Sequence, residues 1–134
     1  MATVRQFEDL MAWQKARELT RALYRYSSAG AFARDWALQN QLRRAAVSVM
    51  ANIAEGFERG GDKEFLQFLA VAKGSCGEVR SHLHVGFDQA YFTPEQHAAL
   101  VENASQVSRL ITGLMKHLRQ SNMRGSKFKG QPST

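Results

Sequence analysis

The chain has 134 residues, 18 Lys and Arg against 12 Asp and Glu for a net charge of +6, and one cysteine. That length suits one domain with a hydrophobic core of its own, and Cys76 alone excludes an internal disulfide or a multi-cysteine zinc site. The first twenty residues are too charged for a secretory leader, and no segment reaches the roughly 18 uninterrupted apolar residues of a membrane span, so a soluble, cytoplasmic protein is expected.

Four helical segments are predicted. The first runs from about Glu8 to Ser28, with Ala12, Ala16, Leu19, Leu23 and Tyr26 at alternating four- and three-residue steps. Ser27, Ser28 and Gly30 break it. The second begins near Phe32 and ends around Arg59, where Gly60 and Gly61 supply a stop. Its apolar stripe is Leu42, Ala45, Ala46, Val49, Ile53 and Phe57. Asp62 is the expected N-cap of the third helix, whose Phe65, Leu69, Ala72, Cys76, Val79, Leu83, Gly86 and Ala90 keep an unbroken heptad rhythm. Thr93, Pro94 and Glu95 open the fourth, which places Leu100, Ala104, Val107, Ile111, Leu114 and Leu118 on one face.

No segment alternates with period two, and no Asn-Gly or Asp-Gly turn appears. Short connections between long amphipathic helices favour antiparallel neighbours, so the expected fold is an all-α, up-down-up-down four-helix bundle. The bundle is expected over residues 1–121, followed by a basic flexible tail over 122–134 whose Gly, Ser, Lys, Gln and Pro content predicts disorder. Trp13, Tyr24, Trp36, Phe57, Phe65, Phe68, Phe87 and Tyr91 exceed what the central seams hold. They fit either wide seams or a subunit interface.

Charge is unevenly distributed. Through Glu102 the chain carries twelve basic and twelve acidic residues, whereas from Asn103 onward it carries Arg109, Lys116, Arg119, Arg124, Lys127 and Lys129 and no acid. This asymmetry points to a polyanion such as RNA or DNA, whose condensed counterions are released by Lys and Arg. A helix C-terminus that favours cations, or a solubilising tail, is the plainer explanation.

On the second helix a polar row of Arg44, Ser48, Asn52, Glu55 and Arg59 runs beside the apolar stripe. Such a row either hydrogen-bonds between helices or lines a site. Glu55 and Glu78 could face each other as paired acids, but Arg44, Arg59 and Lys73 make salt bridging the simpler use. His82 and His84 are two apart and point to opposite sides of a helix, while His97 and His117 have no carboxylate motif nearby. Cys76 lies on the apolar seam as a small hydrophobe. Gly74 and Gly77 fall inside a helix, where close packing of helices suits them better than a phosphate cradle. With no nucleophile-base pair and no ligand spacing, neither an enzyme, a metal nor a cofactor is expected.

Several ordered blocks carry a family resemblance: Phe7-Glu8-Asp9-Leu10 with Trp13-Gln14-Lys15-Ala16, then Gln41-Leu42-Arg43-Arg44-Ala45-Ala46-Val47-Ser48. Asn52-Ile53-Ala54-Glu55-Gly56-Phe57, Glu64-Phe65 with Phe68-Leu69, and Ala72-Lys73-Gly74-Ser75 followed by Glu78 continue the series. From Phe7 to about Leu118 the chain resembles the small bacterial proteins named after reading frames in intervening sequences of large-subunit ribosomal RNA genes, also labelled S23 ribosomal proteins. The resemblance implies a left-handed antiparallel bundle, assembly into a homopentamer and no catalytic activity. By fold alone it extends to the accessory variability determinant of diversity-generating retroelements, a pentameric bundle that binds nucleic acid and a reverse transcriptase. One departure stands out: Met50 occupies the position where many relatives place a proline, so the second helix need not kink there.

Two functions are therefore expected. In the first, a pentamer binds structured or single-stranded RNA through phosphates, with Arg109, Lys116, Arg119, Arg124, Lys127 and Lys129 as the main footprint and Arg43, Arg44, Arg59 and Lys63 as a second patch. In the second, a protein-interaction scaffold uses the row and its neighbours (Ser48, Asn52, Glu55, Lys73 and Glu78), together with surplus aromatics, to hold a ring and dock another protein.

Overall fold

The computed structural model describes residues 3–129, with side chains through Ser121. Four helices follow in order: α1 (Met11–Ser27), α2 (Trp36–Glu58), α3 (Asp62–Asp88) and α4 (Pro94–Lys129). Short 3-10 turns, Phe7–Asp9 and Gly30–Arg34, precede α1 and α2. Each helix packs on its neighbour in sequence and α1 also packs on α4, which closes a four-helix arrangement consistent with an up-down bundle. No strand occurs among the described residues.

Most of the predicted stripes form one core. Leu23, Leu42, Ile53, Leu69, Leu83 and Ile111 are fully buried, one or two from each helix, and Ala16, Ala46, Ala72 and Ala104 let the backbones approach between them. On α4, Met115 is buried and Leu114 only half-buried. Ala90, assigned to the α3 seam by its heptad position, is exposed because α3 stops at Asp88. Its φ of 62° lets Ala90 N–H donate to Phe87 O at 2.9 Å and Tyr91 N–H to Gly86 O at 3.0 Å, ending the helix in a Schellman motif that usually uses glycine.

Helix starts differ in part from expectation. The residues from Gly30 to Arg34 form a separate 3-10 turn, and α2 begins at Trp36 with Asp35 accepting from Leu38 N–H at 3.1 Å. Asp62 is the first helical residue of α3 rather than its cap. Gly61 holds the cap position without a side-chain bond, and Asp62 and Glu64 instead place negative charge at the positive end of the helix dipole. The start of α4 is as expected: Thr93 Oγ1 accepts from Gln96 N–H at 3.1 Å and Gln96 Oε1 accepts from Thr93 N–H at 2.9 Å, with Pro94 first in the helix. At its far end α4 continues to Lys129, past the Asn122 where the tail was expected to begin, and residues 130–134 lie outside the described residues.

Gly56, in the Asn-Ile-Ala-Glu-Gly-Phe block, lies where α2 packs tightly on α3. A Cβ there would fall 2.7 Å from Phe68 Cβ and 2.9 Å from Phe65 Cδ1. Gly74 and Gly77, expected to serve close packing, do not serve it within the chain. A Cβ on Gly74 would meet nothing within 4 Å, and one on Gly77 only the end of Arg80 at 4.0 Å. Aromatic side chains mostly close the bundle ends. Phe32 stacks on Tyr91 at 4.7 Å with Phe92 edge-on at 5.7 Å, and Phe57 meets Phe65 edge-on at 6.0 Å. Tyr24, Trp36 and Phe87 remain exposed.

Candidate nucleic-acid interface

The polar row of α2 is an inter-helix network at its centre and a surface at its ends. Ser48 and Ser75 share a hydrogen bond at 2.9 Å, and Asn52 Nδ2 donates to Ser48 O at 2.8 Å and to Ser48 Oγ at 3.0 Å. Ser75 is only 4% exposed, so its hydroxyl needs that partner. Glu55 accepts from Arg59 at 3.1 Å on the surface and does not pair with an acid. Lys73 and Glu78 are exposed on α3.

Of the expected cationic footprint, three arginines already have partners in the fold. Arg43 Nε donates to Ser27 Oγ at 2.9 Å and its Nη2 to Ser28 Oγ at 2.8 Å, while the guanidinium lies 4.4 Å from the Tyr24 ring centroid. Arg59 binds Glu55 and covers Phe68 at 5.2 Å. Arg109 binds Glu102 at 2.7 Å. Both ion pairs are exposed and contribute little to stability. Arg44, Lys63, Lys116 and Arg119 are exposed and make no ion pair among the described residues. Arg124, Lys127 and Lys129 lie beyond the residues whose side chains are described.

A set of cations outside that footprint shares the outer surface of α1. Arg17, Arg21 and Arg25 are all exposed at four-residue spacing, and none makes an ion pair or side-chain hydrogen bond among the described residues. The signal was present in the spacing, but a charge balance drawn over the first 102 residues averaged it away.

Histidines from two helices also converge. His84 of α3 lies 5.0 Å from His97 of α4, and His97 stacks on Phe87 at 4.3 Å. No group of three or more His, Cys, Asp or Glu side chains among the described residues could hold a metal ion. Cys76 is buried, and desolvation pushes its thiol up to about 11 against the smaller opposing effect of Arg80, so it is protonated and unreactive at neutral pH. No described helix is long and apolar enough to cross a membrane.

Comparison with known proteins gives a family and a fold. Residues 8–113 match the profile of the 23S rRNA-intervening sequence protein family. The chain is also similar in structure to a protein of unknown function from the S23 ribosomal protein family of Bacteroides thetaiotaomicron. The two share 19% identity at a TM-score of 0.71, over 79% of this chain and 99% of that one. No curated protein matches the chain.

Proposed function

The chain belongs to the 23S rRNA-intervening sequence protein family, and we propose that it is a non-enzymatic, cytoplasmic, homo-oligomeric protein that binds RNA through phosphate contacts. The observation that carries this reading is the basic end of α4. Lys116 and Arg119 stand exposed and make no ion pair among the described residues, and from Asn103 to Thr134 the sequence holds six basic residues and no acidic one, with Arg109 alone reaching back to Glu102. A polyanion gains from such a segment through counterion release. Arg44 and Lys63 add exposed charge at the other helices. Assembly as a homopentamer follows from the family resemblance. It is supported by the apolar side chains left open on α2 and α3, with Trp36 73%, Val71 54% and Val47 44% exposed. Cys76, buried with its thiol held protonated, does not supply a nucleophile.

Those same apolar residues favour a second reading, a scaffold that docks another protein on the assembled ring. Fluorescence anisotropy of a labelled RNA across a salt series separates the two. Phosphate binding gives a log-log slope of roughly 0.7 per phosphate contact on a single strand. The slope shrinks in Lys116→Gln/Arg119→Gln and in a chain ending at Ser121. An absence of binding at low salt rejects the RNA reading, and DNA run beside RNA shows which polymer is preferred.

A further inference from the structure

The outer face of α1 has the chemistry of a track for a nucleic-acid strand. Within α1 the basic residues are Lys15, Arg17, Arg21 and Arg25, and the one acid, Glu18, is held by Lys15 at 3.2 Å. Arg17, Arg21 and Arg25 are left without an ion pair or side-chain hydrogen bond among the described residues. At four-residue spacing they rise about 6 Å apart along the helix, comparable to the separation of successive phosphates on a strand, so one helix face can meet three of them in register.

Aromatic rings lie along the same track. Arg17 sits over Trp13 at 5.7 Å, and Tyr24, 43% exposed, lies eleven residues beyond Trp13 with the Arg43 guanidinium over its ring. Two clefts open beside the arginines. One of about 370 Å³ is lined by Trp13, Arg17, Arg21, Gln14, Glu8 and Glu18, and one of about 490 Å³ by Arg25, Tyr26, Ala22 and Ala29. Each joins a guanidinium to an aromatic ring, the pairing on which unpaired bases stack. The carboxylates of the first cleft disfavour a phosphate there but accept hydrogen bonds from a base's amino group. Phosphates therefore belong on the arginines and bases in the clefts.

The track also leads toward the α4 site. Lys15, Glu18 and Leu19 of α1 border one cleft with Asn103 and Gln106 of α4. From there the antiparallel helices carry α1 back to Trp13 and α4 onward to Lys116 and Arg119.

We infer that Arg17, Arg21 and Arg25, with the Trp13 and Tyr26 rings of the two clefts, bind single-stranded nucleic acid as a stacking and phosphate-tracking surface separate from the α4 cations. This rests on the nucleic-acid reading above and assigns it a second site. The test uses the full chain, a fluorescein-labelled twelve-nucleotide single strand and the same sequence as a duplex. Arg17→Gln/Arg21→Gln/Arg25→Gln is expected to weaken single-strand binding about a hundredfold at 0.1 M salt and to lower the salt slope by about 2, three contacts at roughly 0.7 each.

Trp36→Phe leaves Trp13 as the one tryptophan, and its fluorescence is expected to be quenched by the single strand and less so by the duplex. Unchanged affinity in the α1 triple variant, with a loss in Lys116→Gln/Arg119→Gln, overturns the inference and leaves the α4 reading intact. Equal affinity for duplex and single strand without quenching overturns the stacking surface. No binding of either nucleic acid by the unmodified chain overturns both readings, and binding of a polyglutamate peptide in its place would assign the arginines to an acidic protein.

Discussion

Arg43 of α2 clasps the end of α1 through Ser27: its Nε donates to Ser27 Oγ at 2.9 Å, and Ser27 Oγ in turn donates to Tyr24 O at 3.3 Å. Ser28 repeats the relay, accepting from Arg43 Nη2 at 2.8 Å and donating to Tyr24 O at 2.7 Å. Gln39 adds a bond to Ser27 O at 2.7 Å, so a side chain of α2 directly satisfies one backbone carbonyl at the end of α1. A guanidinium in this position is part of the α1–α2 joint. Arg43→Ala should destabilise the chain by about 2 kcal/mol, the scale of hydrogen bonds from a charged donor. Arg43→Lys should recover little, because one ammonium cannot reproduce the fork. Urea unfolding measures both, and RNA affinity at low urea should change less than stability does.

Gly56 and Gly74 make a contrasting pair. Gly56→Ala places a methyl group 2.7 Å from Phe68 Cβ, which belongs to the root of a side chain and cannot swing aside. A loss of about 1–3 kcal/mol is expected from overpacking. Gly74→Ala meets open space on an exposed helix face, and should stabilise an isolated chain by about 1 kcal/mol through helix propensity. If oligomer assembly brings another copy against Gly74, the same variant will weaken association, which light scattering against concentration detects.

The helix stripes were readable because burial on a bundle repeats at the period of the helix. Leu42, Ile53, Leu69 and Ile111 could be placed in the core from spacing alone. The ends were harder, since they depend on contacts between distant segments. Nothing local in the sequence marks Tyr91 as the partner of Asp35, or separates a 3-10 turn at Gly30–Arg34 from the helix that follows. Among candidate site residues, the pattern of α2 revealed that Ser48 and Asn52 form one row, but not that Ser75 answers them from α3. Nor could composition distinguish Arg43, committed to the fold, from Arg44, which stands exposed. Counting charge along the chain located the basic end of α4 and obscured the arginines of α1, because a helix face is selected by angle rather than by sequence interval.

The Ser48, Asn52 and Ser75 network should behave as a unit. Ser48→Ala strands the nearly buried Ser75 hydroxyl and removes one acceptor of Asn52, a cost of about 1–3 kcal/mol. Adding Ser75→Ala removes the stranded group, so the double variant should lose less than the sum of the single losses. Additive losses in chemical denaturation would mean that the two hydroxyls are not coupled. Asn52→Leu removes the amide bonds to Ser48 without touching the charged residues, and a stable oligomer with intact RNA binding would show that the row serves the fold alone.

Tyr91 and Asp35 give the chain an alkaline sensitivity of known sign. The phenol donates to Asp35 Oδ2 at 2.8 Å, and that bond, followed by desolvation and the carboxylate's charge, raises the Tyr91 pKa above its ordinary value of 10.0. Folding therefore favours the protonated phenol. Its contribution is complete below the unfolded pKa near 10 and is lost as pH rises through the higher folded value. Tyr91→Phe removes the bond while keeping the stack on Phe32, so the variant should be less stable than the parent at pH 7 to 9. The gap should close at higher pH, as the parent alone loses the bond. Thermal unfolding of both proteins across that range isolates Tyr91 from the other titrating groups, since they are common to the pair. A gap that stays constant above pH 10 would place the Tyr91 hydroxyl outside the linkage.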